Sequence, residues 1–318
     1  MNDCDRIHDL LRQIRDFINS PRPQHAIMQV IHDWHKLCSA LDLVGDTTAA
    51  LSSYREMDYP ENDGGKYLLL YGLLQALYLQ QDGITHIAEA LGQPKGLPPE
   101  MREVREIRND AVGHPSSRGM HNKPKTFHFV ARITISKTGF QLMSTTPIGR
   151  GHIIRQIGVI GLVNKQTTAV VSYLQSVLTE IQKKEQAHRS RFRDMKLADI
   201  FPQTMDYCFS KVFEGIYSTG QGYRQYGKIN LDMIIEKYTQ FKAELEKRGE
   251  VPASDWLAYN LDQMIYPLQR LREFYESPST SRLNDRDALI FASFARDLHE
   301  EMVQIAKEID EKYETGSE

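Results

Sequence analysis

Apolar residues recur along most of this chain at the three- and four-residue intervals of amphipathic helices. Ile7, Leu10, Leu11, Ile14, Phe17 and Ile18 mark a first helix, stopped by "SPRPQ". Val30, Ile31, Trp34, Leu37, Cys38 and Leu41 mark a second. A polar loop around "DYPENDGG" then leads into residues 66–91, the most hydrophobic helical segment, with a candidate break at Asp82-Gly83. The turn "GQPKGLPPE" precedes a polar helix from Pro99 to Val112. Over residues 126–146 the rhythm changes to period two: "TFHFVARITIS-KTG-FQLMSTT" alternates around a Lys-Thr-Gly turn and predicts a β-hairpin. Helical spacing returns from Asn164 to Arg193, with Val170, Val171, Leu174, Val177, Leu178 and Ile181 on one face. Beyond it the chain reads as helical throughout. Leu257, Leu261, Met264, Leu268 and Leu271 form one seam, and Phe291, Phe294, Leu298, Met302, Ile305 and Ile309 another. The expected fold class is mainly α: a helical bundle with a β-hairpin insert over residues 1–193, followed by an all-helical C-terminal domain over 194–318.

Composition narrows this picture. The 318 residues are 41% hydrophobic and 25% charged, the balance of a globular protein. The longest nearly apolar run, "YLLLYGLLQALYL", is too short to span a bilayer, and the charged start "MNDCDRIHDLLRQ" is unlike a secretory signal, so no membrane partner is expected. Cys4, Cys38 and Cys208 lie far apart without a C-x-x-C pair, which fits a reducing, cytoplasmic setting. Charge is uneven. Residues 95–193 carry 17 Lys and Arg against 6 Asp and Glu, whereas the formal net charge of the whole chain is −3. A basic middle between acidic ends is the footprint expected for a polyanion, with RNA the leading candidate.

Motifs for common cofactors are missing. G-x-x-x-x-G-K-[ST], G-x-G-x-x-G and H-E-x-x-H do not occur, and no cofactor is expected. "HDWH" places His32 and His35 one turn apart, but without a third ligand they read as a helix-surface pair and no metal is expected. "GIYSTGQGYRQYGK" (215–228) combines tyrosines and cations that could stack bases, yet its glycines favour a long interhelical loop.

One stretch, "REIRNDAVGHP", carries more. Gly113 is expected to end the helix in a left-handed conformation, and Pro115 cannot continue it. In an unbroken helix His114 would lie roughly 240° around the axis from Arg108; a break at Gly113 lets the two approach. A histidine moves protons near neutral pH. An arginine fork holds a phosphate and stabilises the charge that builds on it, and Asn109 could orient either. This is a minimal set for attack by an RNA 2′-hydroxyl on the adjacent phosphate.

"RNDAVGHP" resembles the R-x(4–6)-H motif of the HEPN superfamily, including the polar residue after the Arg. The resemblance covers residues 25–190 and implies a helical bundle that dimerises so that two motifs face each other. It further implies a metal-independent endoribonuclease of antiviral defence or toxin-like growth control, with Arg108 and His114 catalytic and Asn109 supporting. The hairpin is an insert that simpler members lack. Pro115-Ser116 also stands where one subgroup carries a modifiable Tyr two residues after its His. Arg105, Arg118, Lys123 and Lys125 are the nearest cations for guiding RNA. Expected partners are RNA, a second copy of the chain and an inhibitory or activating protein. The alternative is a catalytically inactive helical adaptor that binds RNA or a protein.

Overall fold

A computed structural model describes residues 2–93, 96–118, 125–145, 151–218, 220–276 and 283–314. Among these the helices are α1 (Asp3–Ile18), α2 (Pro21–Met28), α3 (Ile31–Glu56), α4 (Asp63–Ala90), α5 (Pro99–Arg108), α6 (Val159–Phe192), α7 (Met205–Tyr217), α8 (Gln221–Arg248), α9 (Asp255–Glu276) and α10 (Asp285–Glu314). The strands are β1 (Phe127–Val130), β2 (Gly139–Thr145) and β3 (His152–Gly158). The mainly α fold with a β insert is as expected. The chain forms two compact units, Met1–Asn19 with Ile27–Ile181, and Ser20–Ala26 with Gln182–Glu318.

In the first unit, local chemistry sets the helix ends. Asn2 and Asp5 form a reciprocal capping box at α1, and the Asn62 side chain accepts from the Gly65 amide at α4. Gly92, at φ 66°, closes the end of α4. Asp82-Gly83 does not break α4, contrary to expectation. Gly83 is there for space, because a Cβ on it would lie 2.6 Å from Val44 Cγ2, where α3 packs closest. Leu37, Leu41, Val44, Ile84 and Ile87 fill that interface.

A buried polar ladder crosses the same core. Gln80 Nε2 donates to Thr48 Oγ1 (3.0 Å), and Gln166 Nε2 donates to Gln80 Oε1 (2.9 Å) and the Leu77 carbonyl (2.8 Å). Gln81 Nε2 donates to Gln166 Oε1 (2.8 Å) and the Met101 carbonyl (2.9 Å). With its amides so satisfied, the ladder fixes α5 and α6 against α4 in one register.

The insert is larger than a hairpin. The strands pair antiparallel in the order β1-β2-β3, with His128 opposite Ser144 and Leu142 opposite Arg155. β1 ends at Val130, short of the expected strand, because Ala131 closes a 3-10 turn with Thr134. α6 begins at Val159, five residues before its expected start. The inner face of the sheet packs Phe140, Leu142 and Ile157 against Leu73, Leu77, Val104 and Ile107.

In the second unit, α7–α10 surround Phe201, Phe209, Tyr238, Phe241, Met264, Leu268 and Met302. The α9 seam is buried as expected, whereas Phe294 of the α10 seam is exposed. The loop expected over 215–228 is largely helix. Gly215 and Gly227 let α7 and α8 meet so closely that a Cβ on either would lie 3.0 Å from the other's Cα. No described helix is long and apolar enough to cross a membrane.

Candidate functional site

The helix that carries the Arg-Asn-x-x-x-x-His motif does not stop at a left-handed glycine. α5 passes at Asn109 into a single π-helical turn, Asn109–Gly113, closed by the His114 amide donating to the Asn109 carbonyl at 2.8 Å. Gly113 stays right-handed, since only Gly92 and Gly249 have positive φ among the described residues. Glycine there instead leaves the guanidinium its place: a Cβ would lie 2.7 Å from Arg108 Nη1. Single π turns inside helices recur at functional sites, and this one does two things. It keeps Asp110 and Ala111 buried, and it brings the Gly113 backbone beneath the Arg108 guanidinium.

Arg108 is held from several sides. Its Nη2 and Nε donate to Gln75 Oε1 at 2.7 and 3.2 Å, and Nη1 donates to Asn109 Oδ1 at 3.1 Å. The guanidinium carbon lies 4.2 Å from the centre of the Tyr78 ring. Asn109 therefore orients the arginine, one of the two roles open to it. Arg105, one turn earlier, lies 4.3 Å from the same ring and pairs with Asp82 at 2.5 Å while donating to Gln81 Oε1 at 2.9 Å. All three Arg108 partners are neutral, Asn109 from its own turn and Gln75 and Tyr78 from α4, so its charge has no carboxylate beside it among the described residues.

His114 leaves the π turn with φ −139° and ψ 51° and is exposed. Among the described residues its imidazole makes no hydrogen bond, to Arg108 or to anything else. What the described contacts place beneath the Arg108 guanidinium is the Gly113 backbone. Of the cations nominated for RNA, Arg105 and Arg118 are engaged with acids, Lys125 is exposed, and Lys123 lies outside the described residues. His32 and His35 are both exposed on α3, and no three described His, Cys, Asp or Glu side chains come together as a metal site.

The most concentrated electrostatics near the motif lie at a residue that no sequence pattern singled out. Asp110, 6% exposed, is ion-paired with Arg118 and with Arg155 (2.5 Å), and His128 Nε2 lies 3.4 Å from its carboxylate. Arg118 also pairs with Glu106, and His128 Nδ1 bonds Ser144 Oγ at 2.8 Å. Burial pushes the His128 pKa down, the Asp110 charge works against this, and Arg118 and Arg155 reinforce it, so the ring is neutral at pH 7. The cluster fastens the sheet to the π turn. Two backbone contacts add to it: the His128 amide donates to the Pro115 carbonyl at 2.7 Å, and Arg118 bridges Thr126. Its members are scattered from Glu106 to Arg155, and their only sequence signal is that Asp110 is the last acid before a long stretch without one.

Compared with known proteins, the chain matches no family model, no curated protein and no solved structure.

Proposed function

We propose that the chain is a metal-independent endoribonuclease of the HEPN type, with Arg108 and His114 catalytic and Asn109 holding the arginine. The observation that carries this reading is the pairing of a fixed guanidinium with a free imidazole. Gln75, Asn109 and Tyr78 immobilise Arg108 without neutralising it, and His114, the first residue past the π turn, is exposed and unbonded. A preorganised cation aimed at developing charge is worth most when nothing else competes for it.

In the proposed reaction an imidazole takes the proton of an RNA 2′-hydroxyl as its oxygen attacks the adjacent phosphorus. The bond from phosphorus to the 5′-oxygen breaks, and that oxygen leaves with a proton from an imidazolium. The products are a 2′,3′-cyclic phosphate and a 5′-hydroxyl, and Arg108 stabilises the phosphorane between them. No hydrogen bond joins Arg108 to His114 within one protomer among the described residues, and in this reading a second copy, bringing its own motif, completes the site. A cytoplasmic homodimer in antiviral defence or growth control, governed by a partner protein, is the setting this reading implies. The same missing hydrogen bond favours the second reading, an inactive helical adaptor.

The test is RNA cleavage in excess EDTA by wild type, Arg108→Ala and His114→Ala, with analysis of the ends. Cyclic phosphate ends from wild type, reduced about 100-fold or more in each variant, are the expected result. Cleavage unchanged in the variants removes the assignment. RNA bound but never cleaved, including by mixtures of the two variants, selects the adaptor.

A further inference from the structure

The outer face of the three-stranded sheet carries aromatic side chains where a solvent-facing sheet is ordinarily polar. Phe127 and Phe129 lie two residues apart on the edge strand β1 and are 39% and 44% exposed. By register Phe129 sits opposite Met143, and Met143 opposite Ile154, itself 56% exposed. The His152 ring meets Phe129 edge-on, centroids 6.1 Å apart. None of this surface serves the core, because the opposite face supplies Phe140, Leu142 and Ile157 to it.

Charge says what covers the face. From residue 111 to residue 179 the chain contains no Asp or Glu, and the whole sheet lies within that span; of its eight Lys and Arg, Arg118, Arg132, Arg155 and Lys165 pair with acids from outside it, and Lys125 is exposed just before β1. An acid-free stretch of 69 residues suits a polyanion such as a phosphate backbone. Rings supply the other half of the recognition. Single-stranded nucleic acid is bound on sheets whose exposed aromatics stack its bases, since every base offers a π face. Along a strand, Phe127 and Phe129 stand about 7 Å apart, about twice the 3.4 Å rise of a stacked strand, so each ring takes a base splayed from its neighbour. The face is also beside the motif: β1 is fastened to Pro115 and Arg118, immediately after His114.

We propose that this sheet face is a stacking platform for single-stranded RNA, with Phe127 and Phe129 each holding one base. It deepens the ribonuclease reading by naming single strands as the substrate class, and it rests on that reading only for its purpose. Binding itself stands without cleavage.

The experiment uses a fluorescein-labelled 2′-O-methyl oligouridylate, which lacks the attacking hydroxyl and cannot be cut, titrated with the full chain. Wild type binds the single strand, more weakly as salt rises. The variant Phe127→Ala/Phe129→Ala binds it at least roughly tenfold more weakly. Phe127→Tyr/Phe129→Tyr binds within about threefold of wild type because a phenol still stacks. A 2′-O-methyl duplex, its bases already stacked, binds more weakly than the single strand. Should the alanine variant misfold by circular dichroism, Phe127→Leu/Phe129→Leu keeps apolar bulk without a ring and is expected to lose the same affinity. Equal binding by ring-less and wild-type proteins overturns the platform, as does equal binding of duplex or no binding of the strand at all. Loss of self-association in the ring-less variant with strand affinity intact also overturns it, making the face a contact between copies. Each outcome is separate from the cleavage test, so failure of one reading does not pass for failure of the other.

Discussion

Gly113 shows how a single missing Cβ sets the geometry of a site. The nearest atom that a Cβ would meet is Arg108 Nη1, at 2.7 Å, with Asn109 Oδ1 at 3.4 Å. Both are the ends of side chains, so Gly113→Ala costs little to accommodate, and a right-handed alanine recovers roughly 0.5–1 kcal/mol of backbone entropy. The expected outcome is a thermal midpoint equal to or slightly above that of wild type. Cleavage, in contrast, falls more than about tenfold, because a guanidinium moved by 1 Å no longer meets the phosphorane. A variant that cleaves at the wild-type rate would show that Arg108 need not sit where it does. The sequence pointed to Gly113 but for a different reason, a left-handed helix end. Glycine satisfies either need equally, and only the φ angle and the neighbouring guanidinium separate them.

At the scale of elements, the π turn and the sheet are one construction with Asp110 as its pin. Removing a buried ion-pair partner leaves uncompensated charge, commonly at a cost of about 3–5 kcal/mol. Arg118 and Arg155 keep 27% and 39% of their side-chain surface in water, so water solvates part of what Asp110→Asn strands and about 2 kcal/mol is expected. The checks are a lower denaturant midpoint and faster amide exchange in β1 and β2, with exchange in α9 unchanged. What the sequence disclosed at this scale follows from what repeats locally. The α1, α3, α4 and α6 stripes and the Leu257–Leu271 seam were legible because a buried face imposes its period on the chain. β3 was not legible: "HIIRQIG" sets Ile153 and Ile154 side by side, both exposed, and so lacks alternation. Nor were the helical runs through Gly83 and Gly215–Gly227, where glycine marks a close approach of two helices and not the end of one. Asp110 and its partners are joined only by the fold, and no local pattern could announce them.

Across the whole molecule, two buried histidines and one half-buried one make stability depend on pH. Burial is the largest influence on His128, His188 and His299, and it lowers each pKa below the ordinary value. His299 lies among Phe201, Phe209 and Tyr238, with its Nδ1 bonded to the Tyr238 hydroxyl at 2.8 Å, while Asp206 and Glu300 only partly offset the desolvation. The sign follows directly. Each ring is neutral in the fold, and once the pH drops below about 6.5 the unfolded chain takes up a proton that the folded chain refuses. Stability is therefore full above that pH and is lost on acidification down to the depressed folded pKa, at up to about 1.4 kcal/mol per pH unit for each ring. His128 belongs to the first compact unit, His188 and His299 to the second. Hydrogen exchange at about pH 7.5 and 5.5, corrected for its intrinsic pH dependence, is expected to show acid loosening in β2 and in α8. His299→Gln, which keeps an acceptor for Tyr238 but cannot titrate, should flatten part of the pH dependence in α8, where His188 still titrates, and leave that of β2 as it was. If both flatten together, the two units open in a single step and share one stability. If neither does, His299 accepts its proton inside the fold, and the aromatic cage around it is wetter than its burial implies.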